Sequence, residues 1–342
     1  MRAIVYTKPG SASVLQLTER ELPQPDRGEV RVRIVVSGVN PTDWKSRSGG
    51  GSAAGPGTEF VPNQDGAGVV DAVGDDVSQL SVGDRVWLAL SAWQRPTGGT
   101  AQEYTVLPVE RVFPLPDVAD FDLGASLGVP ALTAHRALTV AEDGPSRLAP
   151  GVLAGRSVLV AGGAGAVGHA AIQLARWAGA TVIATVSNEE KAELAAAAGA
   201  LHVVHYTAPD AAQRIRAIAP DGVDQIVEVS VGGNNALNLA VARSRTTIAS
   251  YANDRAEGFP LDVGAAMRLN LRYQFVLLYT VGADALRQGA EDVNAAIRDG
   301  ALPIGVEAGL PVHRFALEQT ADAHRAVEQG AVGKVLIDVT AP

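Results

Sequence analysis

The run Gly163-Ala164-Gly165-Ala166-Val167-Gly168 constrains this chain more than any other feature. It follows the apolar, strand-like Ser157–Ala161 and opens a helical stretch, Ala166–Ala178, in which Val167, Ala171, Leu174 and Ala178 recur at helical spacing. A strand, a glycine turn and a helix N-terminus together suit a dinucleotide. The glycines let backbone approach a pyrophosphate, and the first amides of the helix face its charge. The same residues would serve a helix start that merely packs closely on a sheet. Their place between strand and helix favours the nucleotide.

The surrounding sequence has the matching texture. Apolar runs at Thr181–Val186, His202–Tyr206, Asp224–Val229, Thr246–Ser250 and Tyr273–Tyr279 alternate with Ala-rich helical segments. Near-continuous apolar strands are expected when both sheet faces are covered, so this region reads as α/β, a doubly wound parallel sheet. The first third differs. Arg2–Tyr6, Val30–Val36, Gly68–Val73, Arg85–Ala89 and Glu103–Val106 are strand-like and separated by loops bearing Pro and Gly, such as Leu22–Gly28 and Ser78–Asp84. That pattern predicts a barrel-like β domain. The tail is mixed: a helix near Asp284–Asp299, another near Gln319–Gln329, and the strand Lys334–Val339. No linker tract divides the chain, and the tail is expected to return to the first domain. Ser46–Gly57 is a Gly/Ala/Ser tract that reads as a surface loop, or else as a loop beside a substrate cleft.

A length of 342 residues suits two domains. Lys+Arg is 28 against 37 for Asp+Glu, a net charge of −9 that repels nucleic-acid backbones. There is no cysteine, which excludes disulfides, thiolate nucleophiles and Cys-ligated zinc or iron–sulfur clusters. His202 and His205 are three apart in a strand and so face opposite ways, which argues against shared ligation. The opening MRAIVYTKPG is too short in apolar residues for a signal peptide, and no stretch approaches the roughly 20 apolar residues of a membrane span. A cytoplasmic protein is expected.

The second strand of such a sheet informs the choice of nucleotide. An NAD site usually places an acid at its end, about 20 residues past the glycines, to hold the ribose hydroxyls. Here the strand ends Thr185-Val186-Ser187, with no carboxylate to repel a 2′-phosphate. Glu189 and Glu190 fall close by, but Ser187-Asn188-Glu189-Glu190 fits a capping box, with Ser187 as the cap and Glu190 reaching back. Lys191 follows, one of only four lysines; it is either a phosphate ligand or a solvated helix lysine.

Across nearly its whole length the chain resembles the zinc-free quinone oxidoreductases of the medium-chain dehydrogenase/reductase superfamily, the zeta-crystallin-like group. The landmarks are Ser37-Gly38-Val39-Asn40-Pro41-Thr42-Asp43, Asp65-Gly66-Ala67-Gly68-Val69-Val70, Val82-Gly83-Asp84-Arg85-Val86, Gly99-Thr100-Ala101-Gln102-Glu103-Tyr104, Leu132-Thr133-Ala134, Gly162–Gly168, Ala198-Gly199-Ala200 leading to Tyr206, and Gly333-Lys334. The resemblance implies a GroES-like β domain over 1–128 and 281–342, a Rossmann domain over 129–280, and an active cleft between them. It implies NADPH as cofactor. Asn40 would lie beside the nicotinamide as the catalytic residue, with Thr133 near its other side. Gly163, Ala164, Gly165, Ala166, Val167 and Gly168 would line the pyrophosphate. Ser187, Lys191 and Tyr206 would surround the 2′-phosphate. Ser250 would join the cofactor contacts, Phe275, Val276 and Leu277 would offer backbone to the carboxamide, and Lys334 would lie near the cofactor. On the residues alone, Asn40 could instead hold a turn before Pro41, Tyr206 could be core, and Asp43 and Asp65 read as turn residues.

Zinc-containing relatives carry a Cys at the position of Asn40 and a His-Glu pair in the loop that here reads Asn63-Gln64-Asp65. Amides do not replace thiolate and imidazole on zinc. The resemblance therefore implies zinc-independent hydride transfer from NADPH to a quinone or similar conjugated carbonyl. The alternatives are a 2-alkenal or enoyl C=C reductase, and an NADPH-binding structural or redox-sensing protein with little catalysis. Some relatives carry tyrosines in the loop that here is Ser46–Phe60, so the acceptor is open. Tyr273–Tyr279, read as a long apolar edge strand, implies a homodimer joined through that edge.

Overall fold

The computed structural model describes residues 1–50, 57–253 and 258–341. It divides into two compact units, one of residues 1–129 and 312 onward, the other Pro130–Pro311.

The second unit is built on a parallel sheet. Its six strands run in the order His202–His205, Thr181–Val186, Ser157–Ala161, Val223–Glu228, Ala242–Ser250 and Arg272–Phe275. Each neighbouring pair is parallel. Chain order reverses beside Ser157–Ala161, which makes the carboxyl ends of the strands the ligand-binding side of such a sheet. Strands this apolar form because helices cover both faces: Leu159, Ile183, Val204, Ile226 and Ile248 share one core with Ile215 and Val241 from the helices Ala211–Ile218 and Val231–Val241.

The first unit holds a seven-stranded mixed sheet, with Val312–Ala316, Lys334–Asp338, Glu29–Val39, Asp65–Val73, Arg85–Leu88 and Val112–Pro114 in spatial order and Tyr104–Pro108 paired beside Glu29–Val39. In Glu29–Val39 the residues Val30, Val32 and Ile34 point inward at every second position, as a sheet with one wet face requires. From Val35 to Val39 both faces are buried. The helix Phe121–Thr139 crosses there so closely that a Cβ on Gly38 would lie 2.1 Å from the Ala125 carbonyl oxygen.

Three expectations need correction. The second unit extends to Pro311, past the boundary expected at 280. Its helix Ala283–Arg298 is held by Asp292, which takes hydrogen bonds from Arg147 and the Leu148 amide and meets His135 Nε2 at 2.8 Å. The strand expected over Tyr273–Tyr279 is only Arg272–Phe275, followed by a turn at Leu278–Thr280. Its partner strand ends at Ser250, which pairs with Phe275 and accepts the Val276 amide, so no ladder remains to extend it. Asp43 and Asp65 are not turn residues: Asp43 lies in the first turn of the helix Pro41–Lys45, and Asp65 opens a strand. Most of the Ser46–Gly57 tract, residues 51–56, lies outside the described residues.

Two buried histidines carry a pH prediction. His169 Nε2 meets the Ala308 carbonyl at 2.8 Å, and burial pushes its pKa down to about 4. Burial, and then the Arg47 charge, pushes His324 down to about 3. Both are neutral when folded and gain a proton when unfolded, so stability rises with pH between those values and the ordinary histidine range near 6.5. Asp43 opposes this: burial pushes it up to about 8, so its contribution falls as pH rises from the ordinary carboxylate range. A His169→Gln/His324→Gln variant should therefore lose less stability than the parent between pH 6.5 and pH 5. Urea midpoints at the two pH values check this, and equal losses would contradict it.

Candidate functional site

In the second unit the Gly163–Gly168 run becomes the turn between the strand Ser157–Ala161 and the helix Ala166–Trp177. Gly165 is the N-cap and gives no side-chain cap, so the first amides of the helix, those of Ala166, Val167 and Gly168, lack intrahelical acceptors. The turn closes through the Gly162 and Gly163 amides, both donating to the Thr185 carbonyl. A Cβ on Gly168 would lie 2.3 Å from the Gly162 oxygen, and one on Gly163 would lie 2.9 Å from Ala184 Cβ. These glycines leave backbone lining a cradle that a pyrophosphate fits.

The strand Thr181–Val186 ends beside this turn. The helix that follows, Glu189–Ala197, is capped by Asn188, whose side chain accepts the Lys191 amide at 3.0 Å. This corrects the expected Ser187–Glu190 box by one residue, and the shift leaves the Ser187 hydroxyl to accept from Lys191 Nζ at 3.2 Å. Tyr206 stands next to them: its amide donates to the Val186 carbonyl at 3.1 Å and its residue is 43% exposed. An ammonium and a hydroxyl thus meet at one strand end, with the backbone of Tyr206 paired alongside. The nearby carboxylate, Glu189, faces His205 at 3.5 Å and is mostly exposed. The set fits a 2′-phosphate.

Other expected cofactor positions are divided. Ser250 is buried at the end of its strand and donates to the Ala252 carbonyl. Phe275 and Leu277 are exposed, whereas Val276 is buried and its amide already donates to the Ser250 carbonyl, so that amide is not available to a carboxamide. Thr133 is buried in the helix Phe121–Thr139.

In the first unit Asn40 is the N-cap residue of the helix Pro41–Lys45 and is 3% exposed. Its Oδ1 accepts from Lys334 Nζ at 2.8 Å, and its Nδ2 donates to Asp65 Oδ2 at 2.7 Å. Lys334 also reaches Asp65 Oδ2 at 3.3 Å. Asp65 Oδ1 accepts the Val129 amide at 2.8 Å, while Asp43 accepts the amides of Asn40 and Gln64. Burial pushes Asp65 upward, opposed first by the Lys334 charge. Lys334, expected near the cofactor, is 1% exposed and its ammonium faces these two side chains. Sequence reasoning missed Asp65 and Asp43. The available signal was an aspartate opening an otherwise apolar strand, since a charge entering a core needs a partner.

Two families match this chain. Residues 26–117 match the alcohol dehydrogenase GroES-like domain, and residues 166–295 match the zinc-binding dehydrogenases. The pair defines the two-domain medium-chain dehydrogenase/reductase class. The quinone oxidoreductase of Rattus norvegicus is 32% identical over 98% of this chain and 97% of that relative. The chain belongs to the quinone oxidoreductase family of that superfamily, and it is an oxidoreductase. A 2-haloacrylate reductase from Burkholderia sp is 30% identical over 95% of this chain and 94% of its own. A mycobacterial protein solved in complex with NADPH superposes with a TM-score of 0.81 at 28% identity, covering 98% of this chain and 99% of that one.

Zinc, which one family name implies, does not suit the residues present. Among the described residues no group of three or more His, Cys, Asp or Glu could hold a metal ion. The amides that the resemblance sets at the ligand positions are already paired: Asn63 Oδ1 with His324 and its Nδ2 with Ser37, Gln64 Oε1 with the Ala92 amide, and Asn40 as above. Among the described residues no helix is long and apolar enough to cross a membrane.

Proposed function

We propose that this protein transfers a hydride from NADPH to a quinone or similar conjugated carbonyl, independently of zinc. The observation that carries this reading is the Asn40 amide held between Lys334 and Asp65; the resemblance implies a thiolate at that position in zinc-dependent relatives. An amide fixed in this way offers one further hydrogen bond from each end and no proton chemistry. It can orient nicotinamide or acceptor, but it cannot remove the proton of an alcohol. A conjugated acceptor needs no such base, because its oxygen spreads the arriving charge and water can protonate the product.

NADPH supplies the hydride when bound. The chain supplies the rest. The amides of Ala166, Val167 and Gly168 would hold the pyrophosphate. Ser187, Lys191 and Tyr206 would hold the 2′-phosphate, and Asn40 would position the reacting ring. The Lys334 charge is met by Asp65, so it offers little to a substrate carboxylate, which favours a neutral acceptor. A second reading, reduction of a conjugated C=C bond, is favoured by the likeness to the 2-haloacrylate reductase.

The test compares NADPH oxidation by 1,4-benzoquinone or 9,10-phenanthrenequinone with reduction of NADP⁺ by ethanol or 2-propanol, each with a strong chelator present. Quinone turnover should survive chelation and exceed alcohol turnover by at least about 1000-fold, the scale of a missing acid–base step with its positioning. Comparable alcohol rates, or stoichiometric zinc whose removal ends activity, would overturn the reading. Turnover of 2-haloacrylate or an enone with none on quinones would move it to the second. No turnover on any of them would leave a nucleotide-binding protein.

A homodimer is also proposed. Arg272–Phe275 ends its sheet; its last residue, Phe275, is 63% exposed and nearby Leu277 55%. Such an edge is an association hazard unless it is paired. Light scattering at micromolar concentration should give twice the chain mass. A Phe275→Lys/Leu277→Lys variant should be monomeric. A monomeric parent rejects the idea.

A further inference from the structure

The contacts of Asn40 define a device that the functional reading does not itself contain. Three adjacent strands converge on this residue. Glu29–Val39 runs into Asn40, Asp65 opens one neighbouring strand and Lys334 opens the other. The register fixes the meeting. Val335 pairs with Val39, so Lys334 lies across from Asn40, while Asp65 pairs with Gly38. Two glycines make room for the buried pair. A Cβ on Gly38 would lie 3.1 Å from Lys334 Cε, and one on Gly128 would lie 2.2 Å from Asp65 Oδ1. With Gly128 in place the helix backbone comes near enough for the Val129 amide to donate to that oxygen.

A primary amide looks nearly the same when turned end over end, but these neighbours do not. Lys334 can only donate and an ionised Asp65 can only accept. Turning the amide over would set its NH2 against an ammonium and its oxygen against a carboxylate. One orientation satisfies both partners, with Oδ1 toward Lys334 and Nδ2 toward Asp65. A buried ion pair is often no more stabilising than apolar residues of similar volume, so cohesion alone gives no reason for it. A fixed amide does give one.

We propose that Lys334 and Asp65 are positioning residues for hydride transfer, acting only through the orientation of the Asn40 amide. This rests on the reading of Asn40 as the residue that faces nicotinamide or acceptor. The two partners, both buried and turned toward Asn40, would themselves touch neither.

The main test variant is Asp65→Asn/Lys334→Met. It removes both charges together and keeps an acceptor for the Val129 amide. With NADPH and a quinone its kcat should fall about tenfold or more, with the dissociation constant of NADPH changed less than about threefold, the signature of misplacement rather than lost binding. Added to Asn40→Ala, the same two changes should lower kcat by no more than about twofold further, because they act through that amide. A full multiplicative loss in that background, or a kcat for the double variant equal to the parent's, would overturn the proposal. Lys334→Met alone, which leaves Asp65 with its Asn40 and Val129 donors, provides the same comparison if the double variant does not fold.

Hydrogen exchange of the Asn40 side-chain amide, its NMR signals identified by their loss in Asn40→Ala, needs no turnover. Protection should drop about tenfold in the double variant while neighbouring backbone amides keep theirs, as expected when a fixed group is released locally. Unchanged protection would overturn the proposal even if the acceptor proves to be something other than a quinone. Absence of NADPH-linked turnover in the parent would instead overturn the functional reading and leave the exchange result standing.

Discussion

Alanine at position 168 should remove most of the affinity for NADPH, roughly 100-fold or more, about 2.7 kcal/mol. The added methyl has nowhere to go. It would lie 2.3 Å from the Gly162 oxygen and 3.0 Å from Gly163 Cα, both backbone atoms of the same turn. The turn can relieve this only by opening, and opening moves the amides that would line the pyrophosphate. Overpacking of this kind also strains the folded state by about 1–3 kcal/mol, so the melting temperature should fall as well. Gly165→Ala is the stability control. Its Cβ meets nothing nearer than the Gly162 oxygen at 3.5 Å, an ordinary contact, and its φ of −80° suits alanine. Fluorescence titration with NADPH and a thermal melt of both variants check the argument. Affinity within threefold of the parent in Gly168→Ala would show that the turn does not hold the nucleotide.

Lys191→Ala should weaken NADPH and leave NADH nearly unchanged. The Lys191 ammonium lies 3.2 Å from the Ser187 hydroxyl, next to the end of the strand Thr181–Val186. Its orientation there depends on the Asn188 cap, because that cap sets which face of the helix carries position 191. A charge-assisted contact to a phosphate contributes about 1.5–3 kcal/mol. This corresponds to roughly 10- to 100-fold in affinity. Only NADPH carries the group concerned, so the loss should be selective and should shrink at high salt. Dissociation constants for both nucleotides at two ionic strengths measure this. Equal weakening of both would reassign Lys191 to the helix surface.

The parallel-sheet half of the molecule was legible because its signals are local. A glycine turn between a strand and a helix, and apolar strands alternating with helical segments, are written within a few residues of each other. They therefore survive without knowledge of distant partners. The errors fell where two local answers were nearly equal. Ser187 and Asn188 are both good helix caps. The choice between them depends on where the preceding strand stops, and that is set by a neighbour, through Tyr206 pairing with Val186. The apolar run from Tyr273 looked like one long strand, yet its length is decided by a partner that ends at Ser250.

By itself the sequence determined the parallel α/β unit, the β-rich unit, the glycine turn between strand and helix and the lack of an acid at the second strand end. Each of these follows from short-range periodicity and backbone chemistry. Only the tertiary structure decided the surroundings of Asn40 and the extent of the second unit. Asn40 meets Asp65 and Lys334 from 25 and 294 residues away. The helix Ala283–Arg298 joins the second unit through Asp292, whose partners His135 and Arg147 lie 157 and 145 residues away. No local pattern encodes such meetings. A buried charge is tolerated only where a partner compensates its lost hydration, and which partner arrives depends on sheet register and on glycines that let backbones close.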